Sequence, residues 1–267
     1  MGYPVDWTSR STSPTTATIP EHPTACFTGG FLFAGVGGLD LGLQKAVVTK
    51  MYCEINPAAT DVLQRRMDDG FLHRGEIHPD VCHIPKEALS GIEFLFGGFP
   101  CPDIAISGAK AGFGGVRSAL FAHLIIAAAK GDPVTMFLEN VANILAADMV
   151  GVFTEVLRWL LMINFTKIRW GVISASNVGS PQCRRRWYCL ASRPEADLDR
   201  LRSLMPYDAD TLEDMPNKEW NAANVVPVSS WLNSTTNPED KDRLNQMGNA
   251  VVPQCAETAL RILAHVV

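Results

Sequence analysis

Seven side chains in this sequence are of types that can do chemistry together: the Cys101 thiol, the carboxyls of Glu54, Asp80 and Glu139, and the guanidiniums of the consecutive Arg184, Arg185 and Arg186. Cys101 lies in FGGFPCPDIAIS (Phe96–Ser107), where an apolar run ends in two glycines and passes at once into a Pro-Cys-Pro elbow. With an ordinary pKa near 8.5 such a thiol is only about 3% thiolate at neutral pH, so a nucleophilic role requires neighbours that assist it. Glu139 ends the apolar run VTMFLENV (Val134–Val141) and is a candidate acid or base, and QCRRRW (Gln182–Trp187) supplies cations. A thiol, a carboxyl and a guanidinium in one site suit covalent catalysis, as nucleophile, proton donor and partner for developing negative charge.

These residues need a scaffold that brings them to one edge. IEFLFGG (Ile92–Gly98) predicts a buried strand that delivers Cys101 at its carboxyl end, where open α/β sheets place their ligands. Upstream, Cys26–Ala46 predicts a strand with apolar Phe31–Phe33, a turn Ala34–Gly38 rich in glycine, and a helix with Leu39, Leu43 and Ala46 on one face. A glycine turn at a helix start allows close approach of backbone to a ligand. Val47–Arg66 predicts a second strand ending at Glu54 and a helix with Asn56 as N-cap and Pro57 in its first turn. An acid ending the second strand, some twenty residues after a glycine turn, is where nucleoside-binding folds hold a ribose hydroxyl pair. A short third strand, Glu76–Val81, presents Asp80 near the same edge.

Farther on, Gly108–Phe121 holds four glycines and predicts a mobile loop, suited to a lid, before a helix from about Arg117. A helix over Ala147–Asn164, strand-like residues Trp170–Gly179 and a last strand Tyr188–Ser192 follow. The three arginines then fall between two strands of one sheet, which points at least one of them into the site. The fold class is α/β, a Rossmann-like sheet.

At 267 residues, with 47% hydrophobic and 19% charged, the chain is long enough for one sizeable core. No apolar run approaches the roughly 20 residues of a membrane span, so an intracellular protein without membrane contact is expected, in cytoplasm or nucleoid, or in a nucleus. Seven scattered cysteines without a CxxC pair fit a reducing compartment and no metal site. The expected organisation is a Ser/Thr/Pro-rich leader (1–25), a catalytic domain (26–192), a short acidic region (193–242) and a C-terminal segment returning to the catalytic domain (243–267). The acidic region carries 11 acidic and 5 basic residues against a whole-chain net charge of −5, so the rest of the chain is net +1.

Taken in order, FLFAGVGGLDLGL, CEIN, GGFPCPDIAISG, ENV, QCRRR and RLNQMGNAVVPQ resemble the DNA cytosine-C5 methyltransferases along about 220 residues. The resemblance implies S-adenosylmethionine as cofactor and double-stranded DNA as substrate, with the target cytosine flipped out of the helix at a cost of a few kcal/mol. It implies that Cys101 adds to C6 of the base, that Glu139 holds N3 and the exocyclic amine, and that Arg184 and Arg186 bind O2 or orient the loop. It places the cofactor across Phe33, Ala34, Gly35, Gly37 and Gly38, with Glu54 and Ile55 at the ribose and Asp80 and Val81 at the adenine. Gly98, Pro100, Asn249, Ala250 and Val251 complete that set.

Three departures stand out. Pro102 occupies the place of the family's usual Gln, Asn177 begins a segment that often reads Asp-Val-Gly, and the interval available for target recognition is short. Phosphates would repel its carboxylates unless these face away while Arg193, Arg200, Arg202 and Lys218 face the groove, so the last predicts a short target of about two to four base pairs, bound weakly and with steep salt dependence; reliance on an accessory protein is part of that expectation. A monomer is expected. A catalytically idle DNA-binding relative and a tRNA cytosine-C5 methyltransferase are the alternatives. A nicotinamide dehydrogenase would leave the Pro-Cys-Pro, ENV and GNAVVP segments without a purpose.

Overall fold

The computed structural model of the protein describes residues 26–99, 118–146, 149–207 and 250–266. Pro100, Cys101, Pro102, Lys218 and Asn249 lie outside them, as do the leader and most of the acidic region. Seven strands form one sheet: β1 (Phe27–Leu32), β2 (Val47–Cys53), β3 (Glu76–His78), β4 (Phe94–Gly98), β5 (Thr135–Val141), β6 (Lys167–Ser174) and β7 (Arg185–Ser192). Their order is β3-β2-β1-β4-β5-β7-β6. All neighbours are parallel except the β5–β7 and β6–β7 pairs. The carboxyl ends of β1, β2, β4 and β5 therefore open on one edge, and the antiparallel β7 begins there.

Helices cover both faces. On one side α1 (Gly38–Leu43), α2 (Pro57–Asp68), α6 (Leu198–Leu204) and α7 (Pro253–His265) pack on Phe31, Phe94, Phe96, Phe137 and Tyr188. Phe31 stacks on Phe96 at a centroid distance of 4.3 Å and Phe96 on Phe94 at 4.4 Å, so one aromatic row crosses the central strands. On the other side α3 (Lys86–Leu89), α4 (Ser118–Gly131) and α5 (Val150–Met162) cover Leu95, Met136, Leu138 and Trp187. α2 starts as its sequence dictates: the Asn56 carboxamide accepts from Ala58 N at 2.9 Å and Pro57 fills the first turn, where no N–H is needed.

Several bounds differ from the sequence expectation. The strand expected over Trp170–Gly179 is β6, which ends at Ser174. There a reciprocal cap between Ser174 and Asn177 folds Ala175–Val178 into a 3₁₀ turn. The basic run is divided: Arg184 lies between β6 and β7 as expected, whereas Arg185 and Arg186 are the first residues of β7. β3 stops at His78, and Asp80 instead caps a turn by accepting from Cys82 N at 2.9 Å.

Residues 193–207, expected to belong to the acidic recognition region, run along the amino edge of the sheet. Arg200 donates to Glu93 at 2.8 Å and to the Cys26 carbonyl at 2.6 Å, with its guanidinium 4.0 Å above the Phe27 ring. Arg193 pairs with Asp132. Arg202 and Arg169 donate to the Ala264 and Leu263 carbonyls at 2.9 and 3.3 Å, satisfying the end of α7. Arg193, Arg200 and Arg202, which could have offset the acidic charge only by facing a groove, are engaged on the edge opposite the site.

Candidate active site

The carboxyl edge holds a cleft of about 710 Å³. One end is built by the β1–α1 turn and the end of β2. Phe33 leaves β1 in the left-handed region, at φ 55°, rare for a residue with a Cβ and a common form of strain at functional turns. Gly35 follows at φ +56°, and a Cβ built on it would meet no atom of the described residues within 4 Å, so that side of the turn is open among them. Glu54 ties the turn to β2: its two oxygens accept from Gly35 N and Asn56 N, each at 2.8 Å. Each carboxylate oxygen can accept a second bond, and Glu54 lines the cleft, so the acid is pre-oriented for a pair of hydroxyls. Ile55, 74% exposed, Asp80 and Val81 line the same end. The N–H of Cys82, and then His83, hold the Asp80 carboxyl below the usual carboxylate range.

The other end is formed by β4, β5 and β7. Gly98, the last residue of β4, is the register partner of Glu139, and the chain reaches Cys101 three residues later. Glu139 is buried and pairs with Arg186 at 2.9 Å. Burial pushes its carboxyl up to about 7, outweighing the opposite pull of Arg186 and Arg184. Register explains the pairing: in the antiparallel β5–β7 ladder Val141 faces Arg186 and Glu139 faces Tyr188, so these side chains share one face.

The structure brings Phe33, Gly35, Glu54, Ile55, Asp80, Val81, Gly98, Glu139, Arg186 and Ala250 around one cleft. Other residues expected at the cofactor stand behind it. Ala34 and Val251 pack against the core, Gly37 caps α1 and Gly38 is buried in it. Arg184 donates to the Ala250 carbonyl at 2.8 Å, which fastens the C-terminal segment to the site. Gly42 permits that segment to return, since a Cβ there would lie 2.3 Å from the Pro253 carbonyl oxygen.

Two residues were missed from the sequence. Asn140, only 2% exposed, donates to the Phe99 carbonyl at 3.1 Å and accepts from Val141 N at 2.8 Å, anchoring the chain just before the Pro-Cys-Pro elbow. A carboxamide next to the strand-end Glu was the signal. Tyr188, the register partner of Glu139, buries a hydroxyl that makes no hydrogen bond among the described residues. Nothing in the sequence distinguished it from a core aromatic. Among the described residues no group of His, Cys, Asp and Glu is placed to hold a metal ion, and no helix is long and apolar enough to cross a membrane.

Comparison with known proteins gives a consistent result. The profile of the family described as C-5 cytosine-specific DNA methylase matches residues 27–228. The type II methyltransferase M.Bsp6I of Bacillus sp. (strain RFL6) is 31% identical over 192 residues, covering 70% of this chain and 59% of that protein. M.CviJI of Paramecium bursaria Chlorella virus IL3A is 27% identical over 174 residues, covering 64% and 44%. The chain spans about half the length of the curated relatives it matches. A crystal structure of a prophage-encoded DNA modification methyltransferase from E. coli shares the fold, with a TM-score of 0.50 and 24% identity over 62% of this chain and 47% of that one.

Proposed function

Because the chain belongs to the C-5 cytosine-specific DNA methylase family, we propose that it methylates C5 of a cytosine flipped out of duplex DNA, through a covalent bond from Cys101 to C6. The observation that carries this reading is one continuous cleft that runs from the Glu54 carboxylate to the buried Glu139–Arg186 pair.

S-Adenosylmethionine is the cofactor that the family implies, and the residues present fit it: a turn with open space beside Gly35, a carboxylate oriented for two hydroxyls, and exposed Ile55 beside Asp80. When bound it supplies an electrophilic methyl group. Cys101 forms a bond to C6 as its thiolate, pushing electron density to C5. Glu139, close to half-protonated at neutral pH, donates a proton to N3 as that density builds, and its second oxygen accepts from the exocyclic amine. Arg186, already paired with Glu139, offers its remaining N–H groups to O2. Asn140 fixes the carbonyl that precedes the elbow, and Arg184 holds the Ala250 wall. After methylation the C5 proton leaves to a base, the Cys101–C6 bond breaks to restore the thiolate, and N3 returns its proton to Glu139. Target choice belongs to residues 208–249, where eight acidic and three basic side chains favour a short target and assistance from an accessory protein.

The test is methyl transfer from labelled cofactor to duplex DNA, mapped by bisulfite sequencing, with tRNA as a parallel substrate. Cys101→Ala should abolish transfer and leave cofactor binding nearly intact, and 5-fluorocytosine DNA should give a denaturation-resistant adduct with the wild type only. Turnover by Cys101→Ala would refute the covalent route, and product on tRNA but not on DNA would refute the substrate.

A further inference from the structure

The three arginines of QCRRR divide between interior and surface. Arg186 is spent on Glu139 at 2.9 Å and Arg184 on the Ala250 carbonyl at 2.8 Å. Arg185 points to the other face of β7, is exposed, and has no acidic partner among the described residues. It is the first residue of β7, adjacent in the chain to Arg186 on the cleft wall, and its register partner is Ser174.

Ser174 brings in a second group. Its N–H donates to Asn177 Oδ1 at 2.8 Å, so the exposed Asn177 caps the turn with its oxygen and turns its amide N–H₂ outward. An aspartate would make the same cap but present a second carboxylate oxygen instead of a donor. A guanidinium with no acidic partner among the described residues, at the start of β7, and an amide donor in the turn that follows β6 are therefore near neighbours. The arginines of residues 193–207 are engaged at the opposite edge, and residues 208–249 carry net charge −5 (three basic minus eight acidic). Neither stretch offers a polyanion the net positive charge that a cation on the catalytic edge does.

We propose that Arg185 and Asn177 together contact a backbone phosphate of duplex DNA at the rim of the cleft. This rests on the methyltransferase reading and names a contact by which it holds its substrate. A phosphate oxygen takes the Arg185 fork, and Asn177 adds a neutral donor beside it. Such a contact carries no sequence information and acts on affinity and register.

The experiment is fluorescence anisotropy of the full chain with a labelled DNA duplex, across salt from about 50 to about 200 mM. Arg185→Ala should weaken binding by about 3- to 10-fold and reduce the slope of log affinity against log salt by about 0.9. Arg185→Glu should lose more, Arg185→Lys should retain the wild-type slope, and Asn177→Asp should weaken binding while its cap keeps the melting temperature unchanged. Cofactor binding should be the same in all four. Wild-type affinity and slope in both Arg185→Ala and Arg185→Glu would overturn the proposal and leave the methyltransferase reading standing. Wild-type protein that does not bind duplex DNA at all would overturn both.

Discussion

Replacing Glu139 by glutamine should stabilise the folded protein at alkaline pH while slowing methyl transfer. The carboxyl is held at about 7 against an ordinary 4.5, because burial costs the anion more than Arg186 and Arg184 return. Between those two values the folded state keeps a proton that the unfolded chain has released. This group's contribution is therefore fully present below about pH 4.5 and lost as pH rises through about 7, a fall of about 3 kcal/mol. Glutamine stays neutral at every pH and keeps a carbonyl oxygen for the Arg186 Nε donor. Urea denaturation of both proteins at about pH 4.5 and about pH 8 reads the difference directly. The variant should match the wild type at the acid point and exceed it by up to about 3 kcal/mol at the alkaline one. Methyl transfer should fall by roughly 100-fold with DNA affinity nearly retained, the usual scale for a positioned acid. A variant less stable than wild type at alkaline pH would show that leaving Arg186 without an anion outweighs the relief of desolvation, and the argument from burial would fail.

Two further substitutions address the positioning of the site. Asn140→Asp keeps the acceptor for Val141 N but loses the donor to the Phe99 carbonyl. It should cost about 1–3 kcal/mol of stability, slow transfer more than it affects cofactor binding, and change the alkylation rate of Cys101. Gly35→Ala puts a Cβ on a residue at φ +56° and into the open side of the turn. It should destabilise by about 1–2 kcal/mol and weaken cofactor binding, measured by calorimetry, with Glu139-dependent pH behaviour unchanged.

Much of the site was legible because a parallel sheet turns local patterns into a shared location. Glu54, Asp80, Gly98 and Glu139 each lie near the carboxyl end of a strand or just beyond it, and strands that run the same way must end on the same edge, so knowing the strands was enough to group their ends. The Gly35 turn and the Asn56 cap were readable for a similar reason, since each is decided within a few residues by backbone sterics and local hydrogen bonds. What the tertiary structure decided were pairings across long separations. Asn140 reaches Phe99 over 41 residues, Arg184 reaches Ala250 over 66, and Arg200 reaches Glu93 over 107. None of these leaves a periodic trace, and the composition of 193–207 suggested a loop-rich acidic region when its arginines are clamps on the far edge. The antiparallel entry of β7 settles which arginine meets Glu139. Side chains alternate between faces every residue, so the register that puts Arg186 opposite Val141 sends Arg185 to solvent, and a one-residue shift would have reversed their roles.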